Sequence, residues 1–587
     1  MTILYTPFMP AQRRLHATLA SVLLTALLVC ALLGMVVAFS YVRPSIRQVE
    51  VQDVRGEWHA IELPLVSFNP QRLQAHLRFV LHLPHASSQK TFVLTARDHI
   101  DSFSVNGQRI AVVTGAQLPL RQYLHVGDNT LETTLSITTN PPLMMFAMEP
   151  SLLHWQSVLL LVFCILALGV WILVLQSFGV LVFPRSVLCI TLFGAVLRVV
   201  YAFSTPSFLR SYDAQGHLEY IHFLITHLRL PLAGEIWQGH QAPLFYILSL
   251  PFALTARVFA LDSSMSSLLL QILPLLLSVG TLLIGVSIIV RAFTGSSRIL
   301  GALCIASFPS LIYLSSQISN DALLALCGFL WFGTVLRALP LHHLRPWFLV
   351  GIVCGLGLLT KANALPWVVI SATLIVVSNR SWRHRLQEVS IVGAVAFIVG
   401  GWWYIYRFVS GGSISLVANA FQQVSTVILA PSIREIFTFS PVAILLHPSP
   451  SASDPLTRSA YFLETLFRSS QVGSLHYSNT AMLHVFAMIL FAIALYGSFH
   501  DVRDKRLTHA LTILLFIGSV LLFRLQYPFA VSQHFRYITP TVLPFTFLLL
   551  SGIRAIRPTL LHTLAEATVG VYVLMVTVIV LSVAYYA

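Results

Sequence analysis

The sequence predicts a polytopic α-helical membrane protein with an N-terminal β-sandwich outside the membrane. Three observations lead there. The 587 residues are 56% hydrophobic and 10% charged, with a mean hydropathy of +0.80, more apolar than a water-soluble chain tolerates. Apolar runs long enough to cross the roughly 30 Å hydrocarbon core recur along most of the chain. Between Val42 and Pro150 those runs give way to residue-by-residue alternation, the period of a half-buried strand.

The first apolar run, Leu15 to Tyr41, follows Arg13 and Arg14 in the manner of a signal peptide. It is long enough to span and has no convincing small-x-small cleavage site, so residues 1–41 are expected to be a retained transmembrane anchor. Residues 42–150 are expected to form the β-sandwich. In "LQAHLRFVLHL" the residues Leu73, Ala75, Leu77, Phe79, Leu81 and Leu83 share one parity. "DSFSVNGQRIAVV" carries an Asn106-Gly107 hairpin turn, and in "VGDNTLETTLSI" the residues Gly127, Asp128 and Asn129 turn the chain before Leu131. The pair "VNGQRI" and "LHVGDNTLE" resembles the jelly-roll accessory domains of carbohydrate-active enzymes. The turn residues serve geometry whether or not sugar binds.

Residues 151–186 are expected to hold the second transmembrane helix and a cytoplasmic turn, and 187–587 a transmembrane core with outer loops 205–266, 410–480 and 524–536. Spans after Pro150 are expected near 153–178, 187–204, 267–290, 298–317, 321–339, 346–360, 364–379, 387–409, 481–499, 508–525, 536–555 and 564–586, giving about 13 transmembrane helices in all. If residues 242–262 form a surface helix rather than a span, the short loops bearing Arg185, Arg291, Arg298, Arg337, Arg345, Arg380, Arg503, Lys505, Arg554 and Arg557 all fall on the side of Arg13 and Arg14. That arrangement puts the N-terminus in the cytoplasm of a cell (inner or plasma) membrane, with the β-domain and the long loops outside.

The formal net charge of +14 is therefore read as topology rather than as a nucleic-acid footprint. The six cysteines all lie in apolar runs without C-x-x-C spacing; they are expected to be small core residues, not disulfides or metal ligands. There is no Walker A motif, no G-x-G-x-x-G and no D-x-D pair. With such short cytoplasmic loops, the donor of any transfer reaction would have to arrive through the membrane.

Ionisable residues gather in the first outer loop, "LRSYDAQGHLEYIHFLITHLRLPLAGEIWQGHQAPLFYIL". Asp213, His217 and Tyr220 fall on one helical face, with Glu219 on a neighbouring one. An acid at a lipid–water boundary marks function, although Asp is also a favoured N-cap. Asn320 and Asp321 either bind polar groups or cap the next helix. His217 and His240 would hold an acceptor or a metal, or simply hydrogen-bond, and Trp237, Phe245 and Tyr246 would stack on sugar rings or prenyl units but are expected chiefly to anchor the surface helix in the interface.

"LRVVYAFSTPSFLRSYDAQGHLEYIHFL", "HQAPLFYIL", "SQISNDALLAL", "GLGLLTKANALPW" and "HFRYITPTVLPF", in that order over 187–556, resemble the signatures of GT-C glycosyltransferases of the dolichyl-phosphate-mannose protein mannosyltransferase and aminoarabinose transferase type. The resemblance implies a GT-C fold and transfer of a sugar from a polyprenyl-phosphate-linked donor to a lipid, glycan or protein acceptor. It puts Asp213 at the catalytic acid position and Lys361 and Arg536 at the cations facing the leaving phosphate. Arg407 and Arg524 are further candidates, with His217, Glu219, His240, Gln241, Tyr246, Asn320, Asp321 and Tyr537 toward substrate. Two departures are visible: Ala214 stands where many relatives carry a second acid, and Gln241 to Leu244 reads "Q-A-P-L" in place of "H-P-P-L". The first weakens a two-carboxylate or metal mechanism. No cofactor is called for, and a divalent metal is compatible with the reaction but not indicated.

Two other classes are weighed beside the transferase. A glycolipid or polysaccharide transporter or flippase would need charges or broken helices near the bilayer midplane, whereas these lie at one edge. A non-catalytic carbohydrate-binding receptor would leave Asp213, Lys361 and Arg536 unexplained. Membrane lipids are partners on every reading.

Overall fold

The computed structural model describes residues 11–40, 45–52, 56–60, 74–83, 92–96, 99–110, 118–119, 123–136, 144–148, 155–205, 213–232, 235–261, 263–341, 343–410, 433–446, 461–473, 480–500, 506–526, 530–557 and 559–586. Two compact units are formed, one by residues 1–25, 168–249 and 271–584, the other by 26–167, 250–270 and 585–587.

The strands lie in the second unit: β1 (Ser45–Gln52), β2 (Trp58–Ala60), β3 (Gln74–Leu83), β4 (Phe92–Ala96), β5 (His99–Val105), β6 (Gln108–Arg109), β7 (Leu118–Pro119), β8 (Gly127–Ser136) and β9 (Met144–Met148). One antiparallel sheet runs β2-β1-β3-β8-β5-β6 and a second runs β7-β4-β9. Alternation makes the large sheet two-sided. Phe79, Leu81, Phe103, Val105 and Leu131 are buried, while on the other face Arg78 Nε donates to Glu132 Oε1 at 2.7 Å and Arg78 Nη1 to Glu50 Oε2 at 3.3 Å. Asn106 and Gly107 both have positive φ, as a two-residue type I′ hairpin demands. The turn expected at Gly127 to Asn129 lies earlier, because β8 already begins at Gly127. Asn129 is buried inside that strand and clamps the preceding turn, accepting the His125 N–H at 2.8 Å and donating to the His125 carbonyl at 2.7 Å.

The helices are α1 (Ala11–Ser40), α2 (Trp155–Ser177), α3 (Arg185–Ser204), α4 (Ala214–His227), α5 (Leu244–Val258), α6 (Ser263–Ala292), α7 (Gly295–Ser307), α8 (Pro309–Tyr313), α9 (Asp321–Ala338), α10 (Arg345–Leu358), α11 (Leu365–Val376), α12 (Trp382–Ala396), α13 (Trp402–Val409), α14 (Ile433–Phe437), α15 (Pro441–Leu446), α16 (Phe462–Val472), α17 (Ala481–His500), α18 (Arg506–Gln526), α19 (Val542–Ala555) and α20 (Thr559–Tyr586). Among the described residues nine segments are long and apolar enough to cross a membrane, and α5, α10 and α11 are shorter apolar helices.

The span expected over 298–317 is broken. Pro309 lacks an N–H and forces Phe308 out of the helical region, to φ −62°, ψ 118°, so α7 ends and α8 begins there. The carbonyls this frees are taken by buried Arg198, whose Nη1 donates to Ala306 O at 2.8 Å and Nη2 to Ile305 O at 3.3 Å. A guanidinium inside a membrane protein is thus held by backbone dipoles. Two other buried charges are paired with acids: Arg468 with Glu464 at 2.9 Å, and Arg380 with Glu388.

Trp331, Trp347, Trp367 and Trp403 are among the fully buried side chains. Trp331 stacks on Trp367 at 5.8 Å and donates to Ser371 Oγ at 2.9 Å, which locks α9 to α11. Of the six cysteines, Cys164, Cys304, Cys327 and Cys354 are buried as expected, but Cys30 and Cys189 are exposed. An apolar run does not distinguish a core face from an exposed one.

Candidate active site

Four segments far apart in sequence bring four charged side chains into one chain of contacts. Asp213 immediately precedes α4, whose first turn starts with the His217 N–H donating to the Asp213 carbonyl at 3.1 Å. The Asp213 side chain makes no cap hydrogen bond. Its Oδ2 instead lies 2.9 Å from Arg536 Nη2. The alternative of an acid present only to cap its helix is therefore not realised.

Arg536 sits in the 3₁₀ turn Phe535–Thr541 that opens the α19 span, and its backbone N–H donates to His534 Nδ1 at 3.2 Å. Its Nη1 faces Asp321 Oδ2 at 3.7 Å. Asp321 begins α9 and takes Lys361 Nζ on Oδ1 at 2.6 Å. Lys361 lies in extended backbone between α10 and α11, φ −163°, ψ 144°. Both cations stand over the Tyr537 ring, Lys361 Nζ at 5.1 Å and the Arg536 guanidinium at 5.2 Å from its centroid. Arg536 Nη2 also donates to the Tyr537 hydroxyl at 3.3 Å.

The result is an alternating row, Asp213–Arg536–Asp321–Lys361, with two positive and two negative charges. Asp213 lies outside the spanning segments. Burial pushes its carboxyl up, but Arg536, then His217 and Lys361, outweigh burial and hold it down at about 2. It is ionised at every physiological pH.

A second, neutral row borders the first. Asn320 does not cap α9. Its Nδ2 donates to the Thr360 carbonyl and to Gln241 Oε1, both at 3.1 Å. Gln241 Nε2 meets His240 Nε2 at 3.0 Å, and His240 Nδ1 meets the Trp237 carbonyl at 3.2 Å. With Gln241 donating, His240 carries its proton on Nδ1 and is neutral. Burial lowers its pKa to about 4. Gln241 is thus the bridge from Asn320, just before α9, to the turn Trp237–His240.

His217 is buried one turn beyond Asp213, and its Nδ1 lies 2.8 Å from the Tyr246 hydroxyl. Burial lowers its pKa to about 4. Tyr246 stacks on Tyr220 with centroids 3.7 Å apart and planes 3° from parallel. Phe245 and Tyr246 are fully buried, so they correct the expectation of interfacial anchors: α5 turns this aromatic edge into the protein. Trp237 is 36% exposed. Its ring packs over Gly216, where a Cβ would come within 2.8 Å.

Glu219 accepts the Trp237 backbone N–H. Arg407 is buried and donates to the Gly239 carbonyl at 3.0 Å, and Arg524 is buried in the last turn of α18. Reasoning from sequence missed His534, which seats the Arg536 backbone and which burial holds at about 3. Its place two residues before Arg536 in "QHFRY" was the available signal. Several buried polar atoms at the site have no hydrogen-bond partner among the described residues: Arg536 Nε, Asp321 Oδ2, Asn320 Oδ1 and the Tyr220 hydroxyl. Buried polar groups are rarely left so unless a ligand or water completes them. No three His, Cys, Asp or Glu side chains among the described residues converge as metal ligands would.

Residues 245–405 match the family described as dolichyl-phosphate-mannose-protein mannosyltransferase. The chain resembles these mannosyltransferases. The mannosyltransferase-like segment contains Tyr246, Asn320, Asp321 and Lys361, whereas Asp213, Arg407 and Arg536 lie outside it. The match supports a membrane glycosyltransferase. No curated protein matches the chain. Among solved structures, the Archaeoglobus fulgidus oligosaccharyltransferase, determined with zinc and sulfate, aligns at 14% identity and TM-score 0.34 over 66% of this chain and 53% of its own. Arabinosyltransferase EmbB of Mycobacterium smegmatis aligns at 11% identity and TM-score 0.30 over 93% of this chain and 65% of its own. The chain thus spans little more than half of the first and under two thirds of the second, and likenesses so slight carry no argument about this protein.

Proposed function

We propose that this protein is a GT-C-type glycosyltransferase that moves a sugar from a polyprenyl-phosphate-linked donor to an acceptor hydroxyl at the extracytoplasmic face, with inversion. The observation that carries the reading is the row Asp213–Arg536–Asp321–Lys361, which sets a carboxylate beside two cations. Asp213 takes the acceptor O–H proton while the acceptor oxygen bonds to the anomeric carbon. The bond from that carbon to the phosphate oxygen breaks, its electron pair leaving with the polyprenyl phosphate. Arg536 and Lys361 balance the charge that develops there. Arg407 and Arg524 add positive charge, and His217, His240, Gln241, Asn320, Tyr246 and Tyr537 shape the pocket.

This reading goes with a multi-pass topology of about 13 spans, the site and a sandwich-like β-domain (42–150) on the outer side, and the division 1–41, 42–150, 151–186 and 187–587. The acceptor is a lipid, a glycan or a protein. Membranes containing wild-type or Asp213→Asn protein, given radiolabelled polyprenyl-phosphate sugars, test it. Label should leave the prenyl fraction with the wild type only. Equal transfer by Asp213→Asn would refute the base assignment.

A further inference from the structure

The charged row is already neutral, which poses a problem for a site meant to receive a phosphate. Two cations face two carboxylates, so an incoming anion must displace one of them. Geometry says which. Nε and Nη2 form the side-on edge of a guanidinium, the edge that takes an oxyanion through two parallel hydrogen bonds. In Arg536 that edge is half used: Nη2 holds Asp213 at 2.9 Å, while buried Nε has no hydrogen-bond partner among the described residues. The opposite side, Nη1, faces Asp321, which Lys361 also holds at 2.6 Å.

Resting on the transfer reading above, we propose that the donor phosphate takes the Nε–Nη2 edge of Arg536 and displaces the Asp213 carboxylate, so that donor binding itself frees the base. Two phosphate oxygens satisfy both Nε and Nη2, where Asp213 satisfies one. Asp321 and Lys361 keep the guanidinium oriented during the exchange. Once released, Asp213 loses its nearest cation and becomes a stronger base, one turn from His217. Arg536 thereby makes deprotonation of the acceptor conditional on a loaded donor, and the binding order becomes donor first, acceptor second. With no donor bound, Asp213 stays locked and cannot activate water or acceptor.

The exchange predicts a result that a purely structural pair would not give. Asp213→Asn, inactive in transfer, should bind polyprenyl phosphate about tenfold more tightly than wild type, because the competitor for Arg536 has lost its charge. The gain must run through Arg536. It should therefore vanish when Asp213→Asn is added to Arg536→Gln. Full-length protein in detergent, titrated with a short-chain polyprenyl phosphate and followed by tryptophan fluorescence, supplies the affinities, with thermal unfolding confirming that each variant is folded. Arg536→Lys repeats the comparison with the cation kept and the side-on edge removed, should Arg536→Gln not fold. Equal affinity of wild type and Asp213→Asn overturns the exchange and leaves the transfer reading standing, as does a gain that survives in the Arg536→Gln and Arg536→Lys backgrounds. Failure of polyprenyl phosphate to bind any variant would instead refute the transfer reading.

Discussion

Arg536 Nη2 lies 2.9 Å from Asp213 Oδ2, joining the residue that precedes α4 to the turn that opens the α19 span. This pairing fixes how activity depends on pH. The profile of kcat/KM for the donor reports groups of the free enzyme, where Asp213 is held at about 2. No acid limb from Asp213 is expected above about pH 4, the ordinary carboxylate range. A lowered carboxyl contributes stability present above its ordinary 3.8 and lost as pH falls toward about 2. Arg536→Gln leaves burial as the largest influence, so the limb should move upward into the measurable range. Identical acid limbs in wild type and Arg536→Gln would contradict the pairing.

Asp321 is the carboxylate that both cations share, and it is 1% exposed. Asp321→Ala would strand Lys361 as an uncompensated buried charge and leave Arg536 with Asp213 alone, at a cost of about 3–5 kcal/mol. Thermal unfolding in detergent should show a large fall in Tm. Combining Asp321→Leu with Lys361→Met should recover part of it, since an apolar pair has no charge to desolvate. Strictly additive losses would mean the two residues are not coupled.

Gly328 lies on α9, the helix that begins with Asp321, and a Cβ at that position would run into the Pro540 ring of the turn that carries Arg536. Gly328→Ala therefore presses on the turn that carries Arg536. Overpacking of this kind costs about 1–3 kcal/mol, and a displacement of about 1 Å can cost a hundredfold in rate. The expected signature is a loss of kcat out of proportion to the loss of Tm. An active, fully stable Gly328→Ala would show that the turn can yield without moving Arg536.

The helical membrane class was legible from hydropathy alone, and the Asn106-Gly107 hairpin from two residues whose positive φ the turn requires. Asp213 could be singled out because charge is costly at the edge of an apolar chain, and Lys361 and Arg536 because the family resemblance matched their positions. Their partners could not. Asp321 reads equally well as a cap or a ligand, and only the meeting of α9, the Lys361 turn and the Arg536 turn makes it a shared counter-ion. The burial of Phe245 and Tyr246 was likewise hidden: an amphipathic period shows that α5 has an apolar face but not whether lipid or protein covers it. The helix break at Phe308 was written in the sequence as Pro309, yet a hydropathy run passes over a proline without registering it.

His217 gives the sharpest test of whether the histidines carry charge. It is buried beside Asp213, which favours its protonated form, but burial dominates and lowers it to about 4, aided by Lys361 and Arg536. It is therefore neutral at physiological pH and acts through its 2.8 Å contact with the Tyr246 hydroxyl. A histidine lowered from 6.5 to about 4 makes the folded state lose stability as pH falls across that window, because the unfolded chain takes up the proton first. Tyr246→Phe removes one hydrogen bond, at a cost of about 1 kcal/mol, and transfer should remain within a few-fold of wild type. His217→Ala removes the ring and strands the buried Tyr246 hydroxyl, so it should lower Tm further. The profile of kcat against pH should be flat through the ordinary histidine range near 6.5. A limb there that disappears in His217→Gln would show that His217 works as a proton carrier in its own right.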